Sequence, residues 1–177
     1  TICLVGSEMC IRDSSNIVWE YEDPYAHHDA QWLTHGLLYV AAADYKDGRY
    51  SDVVRIIDRQ GNVTWEWCAW KKLSEKNWPI HEGMPDNHWP RINGVHLHDN
   101  IVYMSLRNTS GIIGVHIDSK DVVWQKKWPD VAQQHCPVVT DKGTLIAFCN
   151  GNIRPPSVHH SRIVEFDLVT KEMVWTY

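Results

Sequence analysis

The 177-residue sequence lacks the features that mark several large classes of protein. It has no basic cluster and a formal net charge of −5, so its charge does not favour a nucleic acid as partner. No apolar run is long enough to span a membrane as a helix. Cysteines are few and contain no CxxC pair, so their spacing predicts no disulfide framework. What remains is an ordinary globular composition, with 44% apolar residues available for a core.

The first segment of the chain, TICLVGSEMCIRDS, does not share the pattern of the rest. It resembles adapter sequence that is read as coding in environmental sequence assemblies. We therefore assign residues 1–14 as non-native sequence and residues 15–177 as the domain, and we expect residues 1–14 to make few contacts with it.

Tryptophan is abundant, with ten residues, and four of them belong to a repeated short strand. These four lie roughly 50 residues apart: Trp19, Trp65, Trp124 and Trp175. The last three follow a strand that ends in aspartate and a short turn, at Asp58, Asp118 and Asp167. Four-stranded units of this period are typical of a β-propeller. The sequence thus predicts an all-β fold with about three antiparallel four-stranded blades, in which the repeated tryptophans pack blade against blade.

The repeat also predicts where each blade begins and ends. The first unit runs from Ala26 to Trp67 with LLYVAAAD as its inner strand, the second from Trp89 to Trp124, and the third from Gln133 to Tyr177. Residues Ile17–Tyr21 are predicted to be the last strand of a preceding blade. Because a propeller needs at least four blades, we expect the chain to be part of a larger ring.

An insertion separates the first two units. Its sequence, CAWKKLSEKNWPIHEGMPDNH, contains a stretch that could form about two helical turns. Insertions of this kind either cover a binding face or form a plain surface loop, and the sequence leaves both possibilities open.

One polar residue occupies the same place in each unit, just ahead of the predicted first strand. These residues are His28, Asn93 and His135. Since the first strand of every propeller blade lines the central channel, the three side chains are expected to converge on the axis.

Several motifs in the same order resemble the arylsulfotransferase family: HHD-x-Q-x-L, W-P-R-I-N-G-V, S-L-R-N-T-S, Q-H with F-x-N-G, and S-R-I-V-E-F-D. The resemblance covers most of residues 15–177. It implies a six-bladed propeller, periplasmic or secreted, that needs no cofactor. It also implies transfer of a sulfuryl group from an aryl sulfate to a phenol acceptor through a sulfated histidine, which is expected beyond Tyr177.

The resemblance also implies the roles of individual residues. The expected catalytic residues are His135, His28 and Arg162, and the expected substrate-binding residues are Arg91, Asn93, Arg107 and Asn150. Asp29 belongs to the same motif as His28. Arg91 departs from the family, which commonly has histidine there; a guanidinium does not release its proton, although it can bind an anion.

Other interpretations of these residues stay open. His28 could form a hydrogen bond that fixes a turn, and Arg162 could pair with Glu165 at the surface. The pairs His159-His160 and His96-x-His98 have a spacing that metal ligands use, but exposed loop histidines are commoner, and we expect no metal site.

Two other functions are compatible with a propeller. The segment Asp167–Trp175 also resembles the blade-docking motif of quinoprotein propellers, which requires glycine at the position of Lys171. A quinone site would place glutamate, asparagine and aspartate around calcium, whereas here histidine and asparagine are predicted on the axis. A propeller that only binds a partner is the third possibility, because a fold does not determine a function.

Overall fold

The computed structural model describes residues 19–177, which form three four-stranded antiparallel sheets. The first sheet contains β1 (Ala26–Leu33), β2 (Gly36–Lys46), β3 (Arg49–Asp58) and β4 (Val63–Cys68). The second contains β5 (Ile92–His98), β6 (Ile101–Leu106), β7 (Gly111–His116) and β8 (Val122–Lys127). The third contains β9 (Gln134–Val139), β10 (Thr144–Cys149), β11 (Arg162–Asp167) and β12 (Met173–Thr176). The predicted all-β fold with three blades is confirmed.

The first strand of each blade is the one that faces the neighbouring blades, with β5 between β1 and β9. The prediction that LLYVAAAD is the inner strand of the first blade was wrong, because these residues belong to β2, and β1 lies inside it. His28, Asn93 and His135 accordingly lie within β1, β5 and β9 rather than ahead of them. The sequence did not indicate these inner strands because they contain several polar residues. A strand that borders a channel need not alternate apolar and polar residues.

Apolar residues fill the space between consecutive blades. Leu38 and Val54 of the first blade pack with Met104 and Ile113 of the second in one buried cluster. A second cluster joins the second and third blades through residues such as Phe166. Each fully buried side chain of this size contributes roughly 1.5–3 kcal/mol, so the blades stabilise one another.

The repeated tryptophans connect one blade to the next. Trp65 is buried and donates its indole N–H to the carbonyl oxygen of Ile117, 2.8 Å away in the second blade. Trp124 lies edge-on to Phe166 of the third blade, with ring centroids 6.4 Å apart. The predicted packing between blades is therefore confirmed for these two residues. Trp175 occupies the same position on β12.

The turns between the last two strands of the first and third blades share an aspartate that caps the turn, and the turns of all three blades share a residue with positive φ. Asp58 and Asp167 each accept two main-chain N–H groups through one carboxylate oxygen. The residue that reverses the chain has a positive φ in all three blades, at Gly61 (85°), Lys120 (58°) and Lys171 (62°). Lysine thus takes the left-handed conformation in two of the turns, at a cost of about 1–2 kcal/mol each.

The predictions for the N-terminal segment and for the insertion differ from the structure or lie outside its described residues. Residues 17 and 18 of the predicted strand Ile17–Tyr21 lie outside the described residues, as do residues 1–14. The remainder, Trp19–Tyr21, is not a strand; instead the Trp19 indole donates to the carbonyl oxygen of Arg59, 3.0 Å away. In the insertion, α1 (Ala69–Lys72) is a single helical turn, shorter than the predicted two.

A short 3-10 helix, Pro156–Val158, lies between β10 and β11. Within residues 19–177, no helix has the length and apolar character needed to cross a membrane.

Candidate functional site

Each inner strand is irregular where it carries the predicted site residues. The pairing register shifts between Ala26 and Ala30 of β1, at the start of β5, and within β9. A residue with positive φ lies at the irregularity of β1 and of β9 and just before that of β5: His28 (62°), Cys136 (48°) and Arg91 (63°). Bulges redirect side chains, and strained residues of this kind concentrate at functional sites. The three blades thus share a local distortion where the sequence predicts a site.

His135 lies between two asparagine side chains. The Asn93 amide nitrogen is 2.9 Å from His135 Nδ1, and the Asn150 amide nitrogen is 2.8 Å from Nε2. Asn93 is held from behind, because its oxygen accepts the Ser105 hydroxyl at 2.7 Å and its nitrogen donates to the carbonyl oxygen of Gln134 at 3.0 Å. The structure therefore brings Asn93, His135 and Asn150 together from two blades.

These contacts determine where His135 carries its proton. Because Asn93 is fixed with its N–H groups toward Nδ1, Nδ1 accepts, and the single proton of a neutral imidazole is on Nε2. Asn150, half-buried, can then present its amide oxygen to Nε2 after a half-turn of the amide. Burial and the nearby charge of Arg107 lower the pKa of His135, which favours the neutral ring.

Two neighbouring arginines of the second blade, Arg91 and Arg107, have no acidic partner among the described residues. The main-chain N–H of Arg107 donates to the carbonyl oxygen of Arg91 at 2.9 Å, so the two residues are neighbours, and burial together with the charge of Arg91 lowers the pKa of Arg107. Within residues 19–177, neither forms a salt bridge with a carboxylate. The Nε atom of Arg91 is buried and has no hydrogen-bond partner among the described residues. Arg107 therefore offers uncompensated positive charge near His135, and Arg91 adds positive charge from its place next to Arg107.

His28 lies near the start of its inner strand, as Asn93 and His135 do on theirs, and we call this end of the three blades the mouth. Burial, followed by the neighbouring His27 and Arg91, lowers the pKa of His28 to about 4, so the ring is neutral. Its Nδ1 is 2.7 Å from Nδ1 of His27. Asp29 of the same motif connects the blades, because it accepts the main-chain N–H of Val95 at 2.9 Å. The motif thus has a structural part in Asp29 beside the predicted site residue.

Sequence analysis missed three residues beside His28. Asp52 on β3 is completely buried, and its Oδ1 lies 2.8 Å from His88 Nε2 and 3.2 Å from His27 Nε2. Burial opposes ionisation of Asp52, but its contacts with His27 and His88 keep its pKa below the usual value. His88 comes from the insertion, and Asp52 directly precedes the apolar residues of β3, so the sequence pattern did not indicate that they would meet. The adjacent histidines of the HHD motif were the one available hint.

Arg162 is placed differently from the other predicted residues. Its guanidinium donates to the main-chain carbonyl oxygens of Pro129 and Asp130. Arg154 donates to the Pro129 carbonyl as well and lies over the Trp128 ring, 5.4 Å from its centroid. The structure does not bring Arg162 into contact with His135, and its pairing with Glu165 is not seen either, since Glu165 accepts from Thr144.

The insertion between the first two blades lies over this mouth. Asn108 donates from its amide to the carbonyl oxygens of Pro85 and His88, at 3.1 and 2.9 Å. The Met84 sulfur contacts Arg107 and the side chain of Gln133. The insertion therefore contacts Arg107 of the candidate site, and a part for it as the cover of a binding face stays a prediction.

The other features singled out by sequence lie apart from this group. His159 and His160 are exposed, and His96 stacks on His98 with ring centroids 6.4 Å apart. A cavity of about 510 Å³ is present at the opposite end of β1, lined by residues such as Trp32 and Leu97, and none of the predicted site residues lines it.

Comparison with known proteins identifies a family. The family model described as Arylsulfotransferase (ASST) matches residues 14–177. Among curated proteins, none matches the chain by sequence. A structure from Bacteroides fragilis NCTC 9343 superposes with a TM-score of 0.53 at 10% identity, over 90% of this chain and 40% of that one. The WD40 domain of Neurospora crassa Pan2 superposes with a TM-score of 0.50 at 12% identity, over 85% of this chain and 35% of that one. At these identities the likeness shows the fold alone.

Proposed function

Because the chain belongs to the arylsulfotransferase family, we propose that it forms part of an enzyme that transfers a sulfuryl group from a phenolic sulfate ester to a phenol through a histidine intermediate. The observation that carries the proposal is the pair of neighbouring arginines Arg91 and Arg107, which have no carboxylate partner among the described residues, together with the imidazole of His135 that Asn93 holds. A sulfate ester is an anion whose charge is spread over three oxygens, and such a group needs positive charge and N–H donors at close range.

The two arginines suit the binding of the sulfuryl group. The chain as a whole is negatively charged, at −5, so positive charge without carboxylate partners gives the mouth a local field opposite to that of the molecule. Asn93 is fixed by Ser105 and Gln134, whereas Asn150, whose amide oxygen is assigned to His135 Nε2, keeps its N–H groups for an oxygen of the ester. The site thus combines charge from Arg91 and Arg107 with amide donors.

His135 is suited to act on the phenolic oxygen. When the bond between sulfur and the phenolic oxygen breaks and a bond between sulfur and a histidine nitrogen forms, negative charge develops on the departing oxygen. A neutral imidazole that carries its proton on Nε2 can exchange its contact with Asn150 for a hydrogen bond to this oxygen, a contribution worth about 10²–10³ in rate for a well-placed donor. Proton exchange at the same nitrogen would serve the acceptor phenol in the second half of the reaction. None of the described residues is assigned as the nucleophile.

The alternative functions are less well supported. Lys171 stands where the quinoprotein docking motif needs glycine, and His135 with Asn93 occupies the inner strands in place of a calcium set. A propeller that only binds a partner would make use of Arg91 and Arg107 but would not require a neutral His135, and kinetics separates the two.

The test uses the full-length protein with a chromogenic aryl sulfate and a phenol acceptor. His135→Ala should lower the rate of sulfuryl transfer by about 10²-fold or more, because the donor to the phenolic oxygen is lost. His159→Ala, which changes an exposed histidine on the loop before β11, is the matched control and should leave transfer unchanged. Equal and mild effects of the two changes would favour the binding-only function.

A further inference from the structure

The group formed by His27, Asp52 and His88 has no part in the function proposed above. Its ligand atoms are His27 Nε2, Asp52 Oδ1 and His88 Nε2, and all three lie within 4.8 Å of one another. We propose that these three residues bind a divalent transition-metal ion.

Asp52 Oδ1 lies at distances from both histidine nitrogens that are close to those between ligands of a small metal ion, and the two nitrogens lie within 4.8 Å of each other. Asp52 Oδ1 is 2.8 Å from His88 Nε2 and 3.2 Å from His27 Nε2. Bonds of about 2.0–2.2 Å at tetrahedral angles separate ligand atoms by about 3.3 Å. The group therefore needs only small adjustments of its side chains to enclose an ion.

His27 supplies a second and independent indication. Its Nε2 atom is buried and has no hydrogen-bond partner among the described residues, although it lies 3.2 Å from the Asp52 carboxylate. Two ligands of one metal ion have this geometry: the nitrogen and the carboxylate oxygen lie close together but are not oriented for a hydrogen bond between them. A buried polar atom without a partner is rare and costs about 1–3 kcal/mol, which a bound cation would remove.

The remaining polar atoms of the three residues are held by neighbours that leave the ligand atoms available. His27 Nδ1 faces His28 Nδ1 at 2.7 Å, and Asp52 Oδ2 accepts the main-chain N–H of Ile92 at 3.0 Å. His88 is positioned by its backbone, since the segment around it pairs with Tyr50 on both sides. Such outer contacts orient the ligands of metal sites and are part of their affinity.

The donor set defines the chemical class of the ion. Two imidazole nitrogens and one carboxylate oxygen suit Zn²⁺ and its first-row neighbours, whereas Ca²⁺ and Mg²⁺ favour oxygen ligands alone. Three protein ligands leave a coordination position open, as in zinc sites that hold a water molecule or an exchangeable ligand. The site adjoins His28 and Arg91, so an ion would add to the positive charge at the mouth.

Cobalt binding tests the proposal without any measurement of activity. The untagged full-length protein is stripped with a chelator, dialysed and titrated with Co²⁺, and the visible absorption of four-coordinate cobalt is recorded. We expect saturation at one ion per chain and displacement by Zn²⁺. His88→Ala should weaken binding by at least tenfold, since it removes a ligand. His96→Ala, which changes a half-buried histidine of β5, is the matched control and should bind Co²⁺ as the parent does.

A second measurement distinguishes a loss of metal binding from a general loss of stability in a variant. Zn²⁺ should raise the unfolding temperature of the parent and of His96→Ala but not of His88→Ala or His27→Ala, because an ion that binds only the folded state stabilises it. Absence of one-to-one binding in the parent would overturn the proposal, and so would an equal loss of binding in His96→Ala and His88→Ala. The first result would identify the group as a hydrogen-bonded His–Asp–His cluster.

Discussion

Gly94 lies where the second and third blades approach closely at the candidate site, and its replacement by alanine tests that geometry. A Cβ atom at this position would lie 2.6 Å from Cδ of Pro137 and 2.9 Å from the main-chain nitrogen of Cys136. Both of these neighbours belong to β9, next to His135. Neither backbone nor a proline ring yields easily, so the substitution must separate β5 from β9.

The size of the effect follows from these distances. Ordinary contacts of a Cβ atom begin near 3.4 Å, so β9 must move by about 0.8 Å. Overpacking of this kind costs typically about 1–3 kcal/mol. A movement of that size would stretch the 2.9 Å contact between Asn93 and His135 beyond hydrogen-bonding distance. Gly94→Ala should thus lose both stability and sulfuryl transfer.

Urea unfolding and aryl sulfate transfer, measured on the same full-length preparations, make the test. Gly143→Ala is the control, because Gly143 has a φ of 75° in the turn before β10 and no atom within 4 Å of the added Cβ. Its alanine variant should lose about 1–2 kcal/mol through backbone strain, yet keep full transfer activity. Equal transfer in Gly94→Ala and the parent would refute the close approach of the inner strands, and equal loss in both variants would show that activity follows stability alone.

Two further predictions concern charge at the same site. Arg107→Met should lower kcat/KM for the aryl sulfate by about 10- to 100-fold, because a charge-assisted contact is lost while the apolar stem is kept. Arg154→Met is the control, because it changes an arginine that lies over Trp128, and it should leave kcat/KM unchanged. Equal losses in the two variants would contradict the role of Arg107. The folded-state pKa of His135 is depressed, so the stability that its neutral ring contributes is present above its unfolded pKa of about 6.5 and is lost as pH falls below it. His135→Gln should accordingly flatten the fall in urea-unfolding free energy between neutral and mildly acidic pH, and an unchanged slope would contradict this reasoning.

The repeat made most of the fold predictable. Trp65 and Trp124 recur after aspartate-ended strands, and that spacing is sufficient for a blade period because each blade buries its apolar face only against the next. The inner strand β1 was not predictable in the same way. Its residues are partly exposed and include polar side chains, so β2, which is almost wholly apolar at its start, looked like the first strand.

The candidate site was predictable only where it follows the repeat. Asn93 and His135 occupy similar places in successive units, and the structure brings them into contact. The cluster of His27, Asp52 and His88 joins an inner strand, a third strand and an insertion, and no repeat relates these three. Such a meeting depends on how the insertion folds back, which local patterns do not encode.

The hydrogen bonds of Trp65 and Trp67 to the next blade affect how the chain folds while it is synthesised. The indole of Trp65 reaches its acceptor, the carbonyl of Ile117, only after 52 further residues have been synthesised, and Trp67 reaches that of Lys120 after 53. At roughly 5–20 residues per second, these rings wait about 3–10 s on the ribosome without their partners. A newly made blade therefore presents an unpaired aromatic face during translation until the next blade emerges, and each such interval is an opportunity for a chaperone to bind or for neighbouring nascent chains to associate.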